Sequence, residues 1–589
     1  MIDYAKSPSA PAAQEALNMR PLLSGTRHLI SAGHYLAAHA GFEVLESGGN
    51  AIDAGVAAGL TLGVVQSDLV NIAGVAPIML YLAQRSEVLT ISGLGTWPAA
   101  ASLERFEREF GGHIPEGIAR TVVPAAPDAW ITALEHYGTM SFGDVAAAAI
   151  RFADEGFVMY PLMAELIALN AERYARWPSN AEIYLPGGRP PVAGERFVQR
   201  DLAASLRYMV DEERAAAARG REAGLQAARD AFYRGDIATE IVRYHSLNGG
   251  MLSADDLASF RVAIEAPVRT RFAGTDVYAC GPWCQGPVLA QTLNLLAVGD
   301  LAALGHNSPA YVHRLLEALK LAYADREAFY GDPRFVDVPV QSLLSKAYAD
   351  ARRELIRDER ACSGMPPPGD PPAHAARAAD EYLVAPTTGA APTPALDTSY
   401  VCVVDRDGNV FSATPSDTSY DTPVIPGTGL CPSSRGSQSW AKAGHPSSVA
   451  PGKRPRLTPN PAIAIHEGEF VMPFGTPGGD VQCQAMLQVF LNVTVFGMDA
   501  QAAVEAPRFA TFNFPNSFEP HAASLDLVRL EERIPREVGD ALHDLGHDVQ
   551  WWPAWTWVAG AVCLIHADRR TGILSAGADQ RRPAYALGW

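Results

Sequence analysis

No stretch of the 589-residue sequence stays apolar for long. The most apolar region, Ala51 to Ala83, is broken by Asp53, Gln66, Asp68 and Asn71, short of the roughly 20 apolar residues that a membrane-spanning helix needs. Positive charge is also scarce. Against 65 Asp and Glu stand 47 Lys and Arg, and the formal net charge of −18 would repel phosphate backbones and anionic membrane surfaces. Neither nucleic acid nor a membrane is therefore an expected partner. The seven cysteines are odd in number, lie between Cys280 and Cys563, and lack paired spacing, which argues against a disulfide framework and suits a reducing compartment. Cys280 and Cys284 are close, but no second pair or His cluster joins them, so no metal and no cofactor is expected. The opening residues show no basic cluster running into an apolar stretch, so no secretory leader is read and a cytoplasmic location is expected. A G-x-S-x-G elbow, an H-E-x-x-H helix and a G-x-x-x-x-G-K-[ST] loop are all missing, which removes the common hydrolase and nucleotide-binding signatures.

What is present is a well-buried globular composition, 48% hydrophobic and 19% charged. Helical and strand patterns alternate, which predicts a mixed α and β architecture. Val312, Leu315, Leu316, Leu319 and Tyr323 recur at helical spacing and predict a scaffold helix that ends before Gly331 and Pro333. The compositional break falls between Ser363 and Leu396, where eight prolines and nine alanines fill half of 34 residues. Such a stretch buries too little apolar surface to offset its ordering entropy, and residues 363–397 are expected to form an exposed, mobile tail. Directly after it, Thr398 to Val404 reads as a β-branched and aromatic strand. The turn Arg406-Asp407-Gly408-Asn409 and a second strand from Val410 complete a hairpin.

That junction suits a processing site between Asp397 and Thr398, and a bland interdomain linker equally well. Processing would divide the chain into a large subunit, 1–397, and a small one, 398–589. A threonine hydroxyl needs a base, and an N-terminal threonine carries one in its own α-amino group, which titrates near ~8. Acyl transfer also needs donors for the oxyanion. Gly478 and Gly479 sit between a strand, Phe470 to Phe474, and a helical pattern with Met486, Leu487, Phe490 and Leu491. A simple tight turn explains the same glycines. The tryptophans Trp551, Trp552, Trp555 and Trp557 fit a core better than a pocket wall.

From about His34 to the C-terminus the sequence resembles the γ-glutamyltransferase family of N-terminal-nucleophile hydrolases. The resemblance rests on GFEVLESGGNAIDAGVAAGLTLGVVQ (Gly41 to Gln66) and ALKLAYADREAFYGDPRFVDVP (Ala318 to Pro339). These are followed in order by DTSYVCVVDRDGN, PGKRP (Pro451 to Pro455), GTPGGD (Gly475 to Asp480) and EAPRF (Glu505 to Phe509). It implies an α+β fold of four layers, αββα, with autocatalytic cleavage before Thr398 and an acyl-threonine intermediate. By the same resemblance Gly478 and Gly479 form the oxyanion hole and Ser416 supports the nucleophile. Large and small subunits from one precursor are then the expected assembly, with a dimer of such pairs as an option.

Departures from the family pattern bear on the substrate. The arginine that grips the glutamyl α-carboxylate is missing from Gly93-Leu94-Gly95-Thr96-Trp97-Pro98, and the glycine-rich run appears as Ala73-Gly74-Val75-Ala76-Pro77. Gln438 and Leu457-Thr458 stand nearest to the family's acidic residue and paired serine. Arg435 is either a carboxylate holder or a solvated loop arginine. With Arg435, Gln438 and Thr458 as substrate-binding candidates, the pattern is more like the hydrolytic, oxamate amidohydrolase-like branch. Hydrolysis of a small, carboxylate-bearing amide is the expected activity. γ-Glutamyl transfer or glutathione hydrolysis, and a non-catalytic binding role, are the alternatives.

Overall fold

The computed structural model describes residues 18–371 and 398–589. Two seven-stranded sheets carry the architecture. In the first, the order across the sheet is β1 (Leu23–Gly25), β13 (Leu574–Ala578), β12 (Cys563–Asp568), β11 (Phe470–Gly475), β10 (Ala462–His466), β7 (Thr275–Ala279) and β6 (Val268–Phe272). In the second it is β14 (Tyr585–Gly588), β2 (Leu29–Ala32), β8 (Val401–Val404), β9 (Val410–Ala413), β3 (Ile78–Leu82), β4 (Glu87–Ile91) and β5 (Ile264–Glu265). Every pairing within the two sheets is antiparallel.

Strand alternation explains how the layers stack. Along β8, Tyr400 (just before the strand), Cys402 and Val404 point into an apolar layer shared with Ile463, Val471, Cys563 and Ile565 of the other sheet. Val401 and Val403 point the opposite way, into a core that contains Ile52, Val56 and Leu60 of helix α2 (Ala51–Val65), which packs beside α1 (Tyr35–Glu46). On the far face of the first sheet, α3 (Pro309–Phe329) and α4 (Gln482–Thr494) bury Leu316, Leu319, Met486 and Phe490. Helix, sheet, sheet, helix is the four-layer sandwich expected.

The sequence motifs do visible structural work in these elements. In the GGNAID segment Asn50 caps α2, its side chain accepting from the Ile52 and Asp53 amides while Asp53 accepts from the Asn50 amide. The Ala51 amide donates to Asp405 in the β8–β9 turn at 3.0 Å, so the hairpin is tied to the start of the helix. The predicted helix around Val312 runs as α3 and ends at Phe329, ahead of Gly331.

Residues 363–371 depart from the expectation of an exposed tail. The Gly369 amide donates to Asp325 and the Gly364 amide to Asp526, and Pro366, Gly369 and Pro371 are buried. Polar side chains of the body thus supply the partners that composition alone does not reveal. The remainder of that stretch, 372–397, including Asp397, lies outside the described residues. Among the described residues no helix is long and apolar enough to cross a membrane.

Candidate active site

Thr398 lies three residues before β8, the strand held between β2 and β9. Just upstream of β8 the chain is pinned on one side by Ser416: the two residues form an antiparallel bridge, and the Ser399 amide donates to the Pro415 carbonyl at 3.0 Å. Ser416 is in turn bridged to Val75, its amide donating to the Val75 carbonyl at 3.0 Å. The hydroxyls follow from this backbone register, with Thr398 Oγ1 2.8 Å from Ser416 Oγ and both residues fully buried. The Thr398 carbonyl accepts from the Arg582 guanidinium at 3.2 Å, and the other Arg582 terminal nitrogen reaches the Trp557 carbonyl.

Behind Ser416 lies an ion pair. Asp417 adopts a positive φ of 123°, a strained setting for a residue with a side chain, and its neighbours fix it there. Its amide donates to the Leu69 carbonyl, and its own carbonyl accepts from Asn71 at 2.6 Å. The carboxylate accepts from Ser433 Oγ, the Ser434 amide and Ser434 Oγ at 2.8, 3.1 and 2.9 Å. Arg435 Nε stands 3.1 Å from the same carboxylate, and another guanidinium nitrogen of Arg435 donates to Ser416 Oγ. Burial pushes the Asp417 carboxyl pKa up, with the arginine pulling against it. Arg435 is therefore not a solvated loop arginine; its exposure is 0%.

Gln438 and Thr458 come together, Gln438 Nε2 donating to Thr458 Oγ1 at 2.9 Å. Gln285 then links this pair to the glycine loop, its Nε2 reaching the carbonyls of both Thr458 and Gly479 at 3.0 Å. The loop approaches β8 closely: a Cβ on Gly475 would come within 2.3 Å of the Tyr400 ring. Gly478 and Gly479 have φ of 127° and 54°, and a short 3-10 turn carries the chain from them into α4. Asp480 anchors that turn. Its carboxylate accepts from Ser517 Oγ at 2.6 Å and the Ser517 amide at 2.8 Å, and pairs with Arg326 of α3, while Tyr323 O–H donates to its carbonyl. The AYADR motif thus holds the GTPGGD loop. Beside it Glu327 is buried, which would raise its pKa, but Arg456 and Arg326 outweigh burial and hold the carboxyl well below the usual range.

Within the stretch Gly93 to Pro98, Leu94 packs with Val75, Cys280, Trp283, Cys284 and Leu457 in a small apolar cluster. Cys280 and Cys284 are thus packing groups, and the Cys284 thiol donates to the Pro459 carbonyl. Among the described residues one His/Glu group has metal-like spacing, His313, Glu317 and His547. Its atoms are already paired, His313 Nδ1 with His547 Nε2 at 2.9 Å and Glu317 with the Lys320 ammonium at 2.8 Å, so it reads as a buried polar network. Of the four tryptophans, Trp552 is buried in the α3–α4 core, while Arg536 and Arg533 stack over Trp551 and Trp555.

Asp417, Arg582 and the Arg326–Asp480 pair were not singled out from the sequence. Asp417 had one available signal, its place next to Ser416, and Arg582 had none.

A sandwich of two antiparallel sheets between helical layers is the fold of the N-terminal-nucleophile hydrolases. The chain belongs to the gamma-glutamyltranspeptidase family, whose model matches residues 37–589. An acylase proenzyme, ACY 1, from Pseudomonas sp. (strain SE83) is 35% identical over 92% of this chain and 90% of its own length. The glutathione hydrolase-like YwrD proenzyme of Bacillus subtilis (strain 168) is 30% identical over 97% of this chain and 100% of its own. Among solved structures, a cephalosporin acylase from Bacillus halodurans superposes with a TM-score of 0.83 at 26% identity, covering 98% of this chain and 99% of that one.

Proposed function

We propose that this chain is an amidohydrolase that cuts itself between Asp397 and Thr398 and then uses Thr398 as an N-terminal nucleophile. The observation that carries the reading is the 2.8 Å contact between Thr398 Oγ1 and Ser416 Oγ at the head of β8. In self-cleavage, Thr398 Oγ1 bonds to the Asp397 carbonyl carbon and the C–N bond breaks. The departing nitrogen, now the α-amine of Thr398, takes up the hydroxyl proton, and water hydrolyses the ester. In turnover the same oxygen attacks a substrate amide while the α-amine receives its proton and passes it to the leaving ammonia or amine. Water then releases the acid from the acyl-threonine.

Gly478 and Gly479 supply backbone N–H groups for the oxyanion, held by the Asp480 anchor. Gln438 and Thr458 are the polar groups proposed for the acyl portion of a small amide, with a carboxylate-bearing acid among the candidates. Amide-hydrolysing proenzymes among the relatives support this reading.

The test is N-terminal sequencing of the purified protein. Fragments of about 42 and about 21 kDa are expected by residue count from the 62.9-kDa chain, the smaller beginning Thr-Ser-Tyr. A Thr398→Ala variant should stay whole and release no ammonia from a panel of small amides. An intact wild-type chain would overturn the proposal. Robust γ-glutamyl transfer from γ-glutamyl-p-nitroanilide to an acceptor dipeptide would instead move the substrate assignment to the glutathione-processing members.

A further inference from the structure

We infer that Arg435, held by Asp417, is a positioning residue for the nucleophile: it fixes and polarises Ser416, and so controls both self-cleavage and turnover at Thr398. The inference rests on the reading of Thr398 given above. A fully buried guanidinium is costly to desolvate unless opposite charge and hydrogen bonds compensate it, and here the Asp417 carboxylate stands 3.1 Å from Nε as an ion pair while the Ser416 hydroxyl oxygen accepts from another guanidinium nitrogen. Asp417 cannot drift toward another partner. Three hydrogen bonds from Ser433 and Ser434 hold its carboxylate, and backbone contacts to Leu69 and Asn71 hold its strained main chain. The series Asp417, Arg435, Ser416, Thr398 therefore has one fixed end and ends on the reacting oxygen.

Proton direction gives the series its chemistry. A guanidinium only donates, so Ser416 Oγ accepts from Arg435. Once Thr398 Oγ1 has lost its proton to the departing nitrogen or to the α-amine, the Ser416 O–H is the group that donates to it. A hydroxyl whose oxygen already accepts from a cation is a stronger donor, and it strengthens as negative charge grows on Thr398 Oγ1. Arg435 keeps all its protons throughout. A carboxylate holder would act differently, touching substrate and leaving self-cleavage alone.

Arg435→Met, Arg435→Lys and Asp417→Asn are compared in the full-length chain. Precursor cleavage is followed by denaturing electrophoresis, and kcat and KM of the cleaved fraction are measured on a carboxylate-bearing and a carboxylate-free p-nitroanilide. Positioning predicts that Arg435→Met slows self-cleavage and lowers kcat by about tenfold to about a hundredfold on both substrates. KM should change little, Arg435→Lys should recover part of the loss, and Asp417→Asn should fall in the same direction. Normal self-cleavage with a raised KM on the carboxylate-bearing amide alone would overturn the inference in favour of a substrate clamp. If circular dichroism shows that Arg435→Met is unfolded, Arg435→Lys and Asp417→Asn decide by the same measures. A wild-type chain that never cuts at Thr398 removes the underlying reading, whereas normal cleavage in every variant removes this one alone.

Discussion

Arg326 and Asp480 form an ion pair at 2.5 Å, through which helix α3 grips the residue directly after Gly478 and Gly479. Both partners are buried, so deleting one strands the other in the core. Arg326→Met is expected to lower stability by about 3–5 kcal/mol in urea denaturation. Because the two residues share one interaction, Arg326→Met with Asp480→Asn should lose less than the two single changes added together. Strict additivity would show that the pair does not hold the loop.

Gly478 separates backbone strain from crowding. A Cβ there would meet no heavy atom closer than 3.6 Å, so space is available, but its φ of 127° is unfavourable for any other residue. Gly478→Ala should thus cost about 1–3 kcal/mol of local strain, relieved by turning the peptide away from the reacting centre. Turnover is expected to fall with KM little changed. An alanine variant as active as its parent would place the oxyanion donors elsewhere.

Acid should weaken the protein through His34. Its Nδ1 accepts from the Leu36 amide and caps α1, and burial pushes its pKa down to about 3. In the unfolded chain the imidazole titrates near ~6.5, so between about pH 3 and ~6.5 the unfolded state binds the extra proton. Stability is then complete above that window and falls as pH drops through it. Asn also caps helices but does not titrate in this range. The stability difference between pH 7 and pH 5 should be about 2 kcal/mol smaller in His34→Asn than in the wild type, measured by denaturant titration.

Cleavage before Thr398 should not separate the pieces. In one sheet β8 would belong to the small fragment, but it pairs with β2 of the large one, and β9 pairs with β3. In the other sheet β10 pairs with β7. Both fragments are expected to co-elute under native conditions and to part only in denaturant. Residues 398–589 expressed alone should be insoluble, since both sheets would lose strands and expose edges. Recovery of that fragment as a folded monomer would contradict the interleaved pairing.

Legibility followed sequence distance. The β8–β9 hairpin was readable because its signals, β-branched residues around Asp407-Gly408-Asn409, lie side by side. Helix α3 was readable from one repeating stripe. The holding of residues 363–371 was not, because Gly369 meets Asp325 44 positions away and composition carries no record of that bond. Arg582 reaches the Thr398 carbonyl across 184 positions, and nothing near it announces a site. Arg435 could be read as a loop residue because its partners, Asp417 and Ser416, become visible only when the strand turns back.

Leu94 has a bearing on how this enzyme could change its diet over evolutionary time. Placing an arginine there would not by itself create a grip on an α-carboxylate. The new guanidinium would enter an apolar cluster of Val75, Cys280, Trp283, Cys284 and Leu457, beside which the Glu265 carboxylate is already engaged by Trp283 and Arg454. An unpaired buried charge of that kind disrupts folding before it can recruit a ligand. Several neighbours would have to change with it, so a charged grip at this point of the fold is separated from this chain by more than a single codon.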